Sequence, residues 1–400
     1  MKSRLSIVLL IVLELCIAHC GKRPSERRPE TVSIQPADTS VAGMENLQKK
    51  SVPVRPSESR FDGIARFLAG MEPDSTAGLS DLCNTAAWKQ HRRTTDLKWK
   101  RFDANHLQPI RRWAATEFAE ARKSRTVFYP FGGPDFLYAT SFFPGGERYI
   151  LFGLEPSGRI PDLRRIPADS LAGFLEAVNQ SLDDVLSLSF FKTKDMRLEL
   201  KEGKLQGNIP ILMYLMVRTG NRIVDMKPIH VDTSGVVASA DSFFTAPSGY
   251  FNHGVEIRFH PEGSDTVRRL IYFSVNISDY GVKDNKNVRR FLQKLDTSLT
   301  TYIKAASYLM HKKYFTAIRQ TVLAKSRAIL QDDSGIPYRF FDPSVWTVAL
   351  YGQYTQPIDM FKEYFEADLK AAYGLGAKPV GFRLGYGAQS NLLFAVRKKP

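Results

Sequence analysis

The chain has 400 residues, of which 43% are hydrophobic and 24% are charged, and its formal net charge is +15. This balance is typical of an ordinary globular protein with a sizeable core, and it excludes a chain that is disordered throughout. The basic charge favours anionic partners, of which membrane phosphates, acidic glycans and nucleic acids are the common ones. The only cysteines are Cys16, Cys20 and Cys83, so a disulfide framework is also excluded.

The first twenty residues carry the clearest sequence signal. Two basic residues, Lys2 and Arg4, precede an apolar run over 5–18 that contains one charge, Glu14. A membrane-spanning helix needs roughly 20 apolar residues, and this run is shorter. The pattern therefore predicts an export signal over residues 1–19 that is removed from the mature protein. An exported protein is separated from nucleic acid, so we expect no nucleic-acid partner.

The signal ends in Ile17-Ala18-His19-Cys20, which resembles the lipobox of bacterial lipoprotein precursors. In that family small residues precede a cysteine that receives a diacylglyceryl group. Ile17 and Ala18 fit the pattern, whereas His19 replaces the usual Gly, Ala or Ser. The resemblance covers the signal segment alone, and it implies a protein of the cell envelope that is anchored to the membrane through a lipid on Cys20. The alternative is an ordinary signal peptide, an unmodified Cys20 and a secreted protein.

Residues 20–60 form a segment of distinct composition, with five prolines, many charged residues and few large apolar side chains. Such a stretch cannot bury enough apolar surface to offset its ordering entropy, so it predicts a disordered tether. As a random coil, ~40 residues have a root-mean-square reach of about 35 Å. We expect a globular domain over residues 61–400, either as one continuous core or with a sub-boundary in the small, polar run 232–249.

Helix and strand patterns alternate after residue 60. Apolar spacings of three and four predict helices over 169–186, 209–217, 358–373, and 287–331 with a break near 311–313. Alternating apolar and polar residues predict a strand over 255–260 with a hairpin partner over 269–277, and further strands over 148–154, 345–351 and 392–396. Hairpins beside segregated helices favour an α+β fold, with antiparallel hairpins packed against several amphipathic helices, over a doubly wound parallel sheet.

Two adjacent carboxylates, Asp332 and Asp333, are the main catalytic candidates. They follow a predicted helix end at Leu330, where each charge faces the negative end of the helix dipole at a cost of roughly 0.3–1 kcal/mol. A turn in which the aspartates accept backbone N–H groups is the simpler explanation, since Pro337 ends the helix anyway. The functional interpretation is a carboxylate pair that acts on a substrate as acid and base.

Neighbouring residues extend this candidate site. Tyr338 and Arg339 follow the carboxylates closely and would bind the ligand. His311 would join the pair as a third catalytic residue if the two predicted helices fold back on each other. Lys304 and Ser307 share the predicted helical face of His311.

Aromatic residues beside stiff turns at 129–138 and 141–146 form a second pattern. If exposed, rings such as that of Tyr138 would stack on a sugar, and Tyr138 is therefore a ligand-binding candidate. Packing of the same rings in the core is the alternative, which we favour.

His230 and Asp232 lie two residues apart, which places both side chains on one face of a strand. With His253 or His260 they would form half of a metal site, but a surface pair or a satisfied buried histidine explains the spacing more simply. The glycine-rich run 374–387 lacks the lysine and the following helix of a phosphate-binding loop, so we favour a turn into the last strand. We predict no metal and no cofactor.

The sequence supports two functional hypotheses. The first is a non-catalytic binding or structural module at the cell envelope. The second is a hydrolase that acts on envelope glycan or peptide through Asp332, Asp333 and His311. Acidic glycans or lipid headgroups are the expected surface partners. Convergence of the three residues in a cleft with aromatic walls would favour the hydrolase.

Overall fold

The computed structural model describes residues 59–73, 78–118, 125–188, 207–243, 252–386 and 389–398, without the side chains of 183–188. The predicted export signal, Cys20 and the tether up to residue 58 lie outside the described residues. None of the helices in the described ranges has the length and apolar character that a membrane span requires.

One mixed sheet of ten strands organises the described residues. The strands are β1 Thr126–Tyr129, β2 Arg148–Gly153, β3 Asn221–Val231, β4 Val237–Ser239, β5 His253–Pro261, β6 Arg268–Ser274, β7 Leu299–Ile303, β8 Ser326–Gln331, β9 Trp346–Gly352 and β10 Asn391–Arg397. Their order is β4-β3-β5-β6-β2-β1-β7-β8-β10-β9. The five central strands from β6 to β8 are parallel, and the strands on both flanks are antiparallel.

Eleven α-helices accompany the sheet within the described ranges. They are α1 Arg60–Leu68, α2 Ser80–Asn84, α3 Ala86–Phe102, α4 Gln108–Glu117, α5 Phe136–Phe142, α6 Leu171–Leu188, α7 Ile209–Arg218, α8 Asp279–Asp284, α9 Lys286–Lys294, α10 Thr316–Lys325 and α11 Ala367–Gly374. A π-helical turn, Asp103–Leu107, joins α3 to α4.

The sheet is buried on both faces. Along β1, Val127 and Tyr129 join the apolar cluster that contains α1 and α3 to α7, whereas Phe128 joins the cluster that contains α8 to α11. Successive side chains of a strand point to opposite faces, so one strand contributes to both clusters. Strands covered on both faces have apolar residues at consecutive positions, which explains why β1 shows no alternation.

The structure confirms the α+β class and several predicted elements. The helix predicted over 169–186 is α6, and the one predicted over 209–217 is α7, in which every residue except Arg218 is buried. The predicted hairpin is the antiparallel pair β5–β6. Strands β3 and β5, which lie on either side of the run 232–249, and β4, which lies within it, pair in the same sheet.

The helix predicted over 287–331 was wrong. The α-helices there are α9 and α10, with short 3₁₀-helices at Leu309–His311 and Lys313–Phe315, and the segment also contains β7 and β8, two of the central parallel strands. All residues of β7 and five of six in β8 are buried, so neither strand shows the alternation that identifies a half-exposed strand. Lys304, Ser307 and His311 therefore do not share a helical face. The prediction over 358–373 was also too long, because a 3₁₀-helix at Asp359–Tyr364 precedes α11.

The order of the central strands creates a crevice. From β1 the chain continues to β2 on one side, whereas β7 lies against the other side of β1. In open sheets with parallel strands, ligands bind outside the carboxyl ends of the strands at such a reversal of strand order. We therefore expect a functional site among the loops that follow β1, β7 and β8.

Candidate functional site

The loop after β7 has an unusual backbone. Ala305, Ser307 and Tyr308 have positive φ angles of 49°, 51° and 53°. Non-glycine residues rarely adopt this left-handed conformation, and each instance costs of the order of 1–3 kcal/mol. Three of them within four residues mean that the surrounding structure forces the loop into this shape. Such strain concentrates at functional sites, so the loop marks a candidate.

Side chains from two other segments hold this loop. The N–H of Ala305 donates to Oδ2 of Asp332 at 2.8 Å, and the N–H of Ala306 donates to Oγ of Ser334 at 2.7 Å. The N–H of Ser307 donates to the hydroxyl oxygen of Tyr386 at 2.9 Å. Three consecutive backbone donors are thus satisfied by side chains, and two of these come from the turn that follows β8.

Asp332 is buried at the centre of this arrangement, with 3% of its surface exposed. Besides Ala305, it accepts hydrogen bonds from the N–H and the hydroxyl of Ser334. Burial and the neighbouring charge of Asp333 raise the pKa of Asp332 from 3.8 to about 7, against the opposing effect of these hydrogen bonds. Asp332 therefore retains a proton near neutral pH.

Two other aspartates show that burial determines this shift. Asp232 and Asp342 each accept from the N–H and the hydroxyl of a serine two residues later, as Asp332 does. Asp342 is exposed and Asp232 is half-buried. Hydrogen bonds hold both pKa values below the usual value, chiefly that from the Val236 N–H for Asp232 and those from Ser344 for Asp342. The same local turn thus lowers the pKa in solvent, and only burial beside Asp333 raises it.

Asp333 is partly exposed. It accepts hydrogen bonds from the hydroxyl of Tyr308 and, at 3.0 Å, from Nδ2 of Asn391, while its own N–H donates to Oδ1 of Asn391 at 2.7 Å. Burial raises the pKa of this carboxyl as well. An ionised carboxylate has about four acceptor positions, and these bonds occupy two of them. Asp333 can therefore still bind a ligand or a water.

His311 lies behind this pair. Its ring packs edge-on against Tyr308 at 5.1 Å between centroids, and its Nε2 is 3.9 Å from Oε1 of Glu366. Burial, with a smaller effect of Arg339, lowers the pKa of His311 to about 4, and burial raises the pKa of Glu366 to about 7. The structure therefore brings His311, Asp332 and Asp333 together, but His311 supports Tyr308 rather than facing the open side of the site.

A cleft of about 240 Å³ opens over the carboxylate pair. Its walls include Tyr308, Asp332, Asp333, Asp359, Tyr386 and Asn391. No lysine or arginine is among the described residues that line it. The cleft therefore combines carboxylates, an amide and tyrosine rings, and it is acidic although the whole chain is strongly basic.

A buried ion pair lies at the same edge of the sheet, between β1 and β7. Nζ of Lys304 is 2.8 Å from Oδ2 of Asp135 and 3.5 Å from the ring centre of Tyr138. Asp135 also accepts from the hydroxyl of Tyr129 at 3.1 Å and caps α5 through the N–H of Tyr138 at 3.0 Å. Burial lowers the pKa of Lys304, and Asp135 opposes this effect. This ion pair was not predicted from the sequence. The local pattern there indicated only that Asp135, which follows a glycine turn, caps a helix.

The remaining binding candidates lie outside the cleft. Tyr138 is fully buried, so its ring cannot stack on a ligand from solvent, and the prediction of a binding role was wrong. Tyr338 donates its N–H to Oε2 of Glu366 at 2.7 Å and does not line the cleft. Arg339 is exposed, with its guanidinium 5.0 Å from the ring centre of Phe340.

The histidine pattern is only partly assembled. His230 pairs with His253 across β3 and β5, with ring centroids 6.2 Å apart, but Asp232 is engaged in its own turn. His260 bonds the backbone of the next residue. Within the described ranges, no three His, Cys, Asp or Glu side chains are arranged to hold a metal ion. Cys83 is half-buried, and burial raises the pKa of its thiol to about 11, which makes it a poor nucleophile.

Part of the glycine-rich run forms a wall of the cleft. Residues 375–386 contain no helix, as expected for a turn that leads into β10. Gly385 has φ +70°, and a Cβ atom there would lie 2.7 Å from Oδ2 of Asp332. Only glycine allows the backbone to approach the buried acid this closely.

Comparison with known proteins finds no matching family, no matching curated sequence and no matching solved structure.

Proposed function

We propose that the protein is a hydrolase of the cell envelope in which Asp332 and Asp333 act as an acid–base pair. The observation that carries the proposal is the placement of two carboxyls with raised pKa in a cleft at the carboxyl end of β8, against the loop after β7, and β7 is one strand of the reversal in strand order. Titratable groups with perturbed pKa values in a cleft are typical of catalytic sites. Of the two tyrosines at the cleft, Tyr308 is buried and Tyr386 is partly exposed, so Tyr386 supplies the aromatic surface that the sequence hypothesis required.

The chemistry needs one proton on the pair. Burial raises the pKa of both carboxyls, and the charge of Asp333 raises that of Asp332 further, so near neutral pH one of the two carries a proton. The protonated carboxyl gives its proton to the leaving oxygen or nitrogen as the substrate bond breaks. The ionised partner accepts a proton from the attacking water as the new bond to the water oxygen forms. The pair ends with one proton, as it began.

The charge of the cleft limits the substrate. Three aspartates and no described cation line it, so phosphorylated or carboxylate-rich groups would be repelled. A neutral or cationic glycan or peptide fits better, because the partly exposed ring of Tyr386 can pack on a sugar face and the amide of Asn391 can bind hydroxyls. We therefore propose a neutral segment of envelope glycan or peptide as the substrate, and place any contact with acidic glycans elsewhere on the basic surface.

The first test is the release of soluble fragments from purified envelope glycan–peptide, measured by chromatography and mass spectrometry. Asp332→Asn and Asp333→Asn are each expected to lower the rate by about 10²–10⁴-fold, the usual contribution of acid–base catalysis. Asp342→Asn is the matched control, because Asp342 forms the same turn on the surface. Unchanged rates in folded variants would contradict the proposal. Binding without cleavage by the wild type would identify a non-catalytic binding module instead.

We also propose that the protein is anchored through a lipid on Cys20, with a plain secreted protein as the alternative. The intact mass of the mature N-terminus, measured with membrane fractionation, tests this. The wild type is expected to begin at acylated Cys20 and to sediment with membranes, whereas Cys20→Ser is expected to remain soluble. Cys16→Ser is the control, since Cys16 would leave with the signal. An unmodified N-terminus at a residue other than Cys20 would contradict the lipoprotein interpretation.

A further inference from the structure

One face of α3 is covered with cations. The helix buries Trp88, His91, Thr95, Trp99 and Phe102 against the core. With 100° between successive residues, the direction opposite this buried stripe falls at Arg93 and Leu97. The residues on that outer side are all exposed, and besides Ala86 and Gln90 they include Lys89, Arg93, Leu97, Lys100 and Arg101, which define the basic face.

The charges of the basic face are not offset locally. No ion pair joins Lys89, Arg93, Lys100 or Arg101 to any acid in the described parts of the chain, and Arg93 donates only to Oε1 of Gln90 at 2.8 Å. The single acid of α3, Asp96, pairs with Arg218 at 2.7 Å. Four cations on one exposed helix face therefore create a concentrated positive potential.

Leu97 distinguishes this face from an ordinary solvated one. It is 71% exposed and is the one strongly exposed large apolar residue on α3. A helix that presents Lys and Arg around an outward leucine has the pattern of segments that lie on a lipid bilayer, where the cations meet phosphates and the apolar group enters the headgroup boundary.

The position of the proposed lipid anchor along the chain also favours a membrane as the partner of α3. Ser59, where the described body begins, lies 39 residues after Cys20 (59 − 20). The end of α1 that follows contacts α3 directly, since the carbonyls of Phe67 and Leu68 bond the rings of Trp88 and His91 at 3.1 and 2.9 Å. The disordered tether that the composition of residues 20–60 predicts would have a reach of about 35 Å, so the proposed lipid on Cys20 would keep α3 within reach of the membrane.

We propose that the basic face of α3 docks on an anionic phospholipid surface, with Leu97 entering the headgroup layer. The proposal rests on the envelope location proposed above, and it does not depend on hydrolysis. A second basic helix, α9, supplies the comparison. It exposes Lys286, Arg289 and Lys294, carries no large exposed apolar residue, and packs on the opposite face of the sheet.

Vesicle sedimentation tests the proposal. All proteins are full-length chains carrying Cys20→Ser, so that no acyl anchor contributes, and the vesicles contain phosphatidylglycerol and phosphatidylcholine or phosphatidylcholine alone. Each Lys or Arg near an anionic surface contributes roughly fivefold in affinity. The triple variant Lys89→Gln, Arg93→Gln, Lys100→Gln is therefore expected to bind anionic vesicles about 100-fold more weakly. Leu97→Gln is expected to lose several-fold on the same vesicles.

The matched control removes the same charge from α9, as Lys286→Gln, Arg289→Gln, Lys294→Gln, and is expected to keep most of the binding. Equal losses in the two triple variants would overturn the proposal, because only net charge would then matter. Equal binding of the wild type to both vesicle types would overturn it as well. Tighter binding to a short duplex DNA than to vesicles, lost with the α3 variant, would identify a nucleic-acid face instead. The N-terminal mass tests acylation of Cys20 and the vesicle experiment tests docking through α3. Failure of one proposal can therefore be told from failure of the other.

Discussion

Replacing Lys304 by methionine is expected to destabilise the folded protein by about 3–5 kcal/mol, the usual cost of removing one partner of a buried ion pair. Lys304 and Asp135 are 2.8 Å apart, with only 1% and 3% of their side chains exposed. Without the ammonium group, the carboxylate of Asp135 stays buried beside tyrosines and must either lose its charge or admit water. Denaturant unfolding of the wild type and the variant measures the difference.

Lys378 provides a matched control on the surface. It pairs with Glu117 at 3.0 Å and lies 5.5 Å from the ring centre of Tyr351, but 60% of its side chain is exposed. Lys378→Met is expected to cost only about 0–1 kcal/mol, because solvent screens such pairs. The double variant Lys304→Met with Asp135→Asn is expected to recover part of the loss. Equal costs for the two lysines would show that burial of the Lys304 pair has no energetic consequence.

The second large effect is a fall in stability as pH rises through neutrality. The pKa of Asp332 is raised from 3.8 to about 7, and that of Glu366 from 4.5 to about 7. The folded state therefore keeps two protons that the unfolded chain has lost, and this stability is fully present below pH ~4 and disappears as pH rises through ~7. Each such group contributes a slope of up to about 1.4 kcal/mol per pH unit.

His311 acts in the opposite direction. Its pKa is lowered from 6.5 to about 4, so its contribution is present above pH ~6.5 and is lost as pH falls through ~4. Near pH 5.5 the two carboxyls outweigh the one histidine, and the net slope is negative by about 1.4 kcal/mol per unit. Free energies of unfolding at pH 5, 6, 7 and 8 measure it.

Asp332→Asn isolates the carboxyl that matters for the proposed chemistry. The variant cannot ionise, so the fall in stability with pH is expected to flatten by up to about 1.4 kcal/mol per unit. Asp342→Asn, whose exposed carboxyl has a lowered pKa, is expected to leave the slope between pH 5 and 8 unchanged. An unchanged slope in Asp332→Asn would mean that Asp332 is already ionised in the folded protein at pH 5.

Local pattern was sufficient where polar and apolar residues alternate along a strand. The β5–β6 hairpin was predictable because polar Glu256 and Arg258 alternate with apolar Val255 and Ile257, although Glu256 is itself buried and paired with Arg269. It was not sufficient for β7 and β8, whose residues are buried on both sides and therefore read like a buried helix. The parallel centre of the sheet was missed for the same reason, since β1, β7 and β8 are its short, fully covered strands.

The candidate site was also predictable from the sequence only in part. Asp332 and Asp333 stood out as two adjacent acids at a predicted helix end, but strand β8 precedes them, so no helix dipole acts there and that reason was wrong. The pKa shifts could not be predicted, because they depend on burial beneath Gly385 and the loop of Ala305, both distant in sequence. Lys304 and Asp135 meet only because β7 lies beside β1, which no local spacing encodes.

The two edges of the sheet bear on how densely this protein can be packed at a surface. One edge strand, β4, has only three residues. The other, β9, is covered where Lys378 exchanges backbone hydrogen bonds with Leu350 and Gly352. Long, open strand edges pair with their equivalents in neighbouring molecules and start aggregation. Both features shorten the open edges of the described sheet, which lowers the tendency of crowded copies to join their sheets.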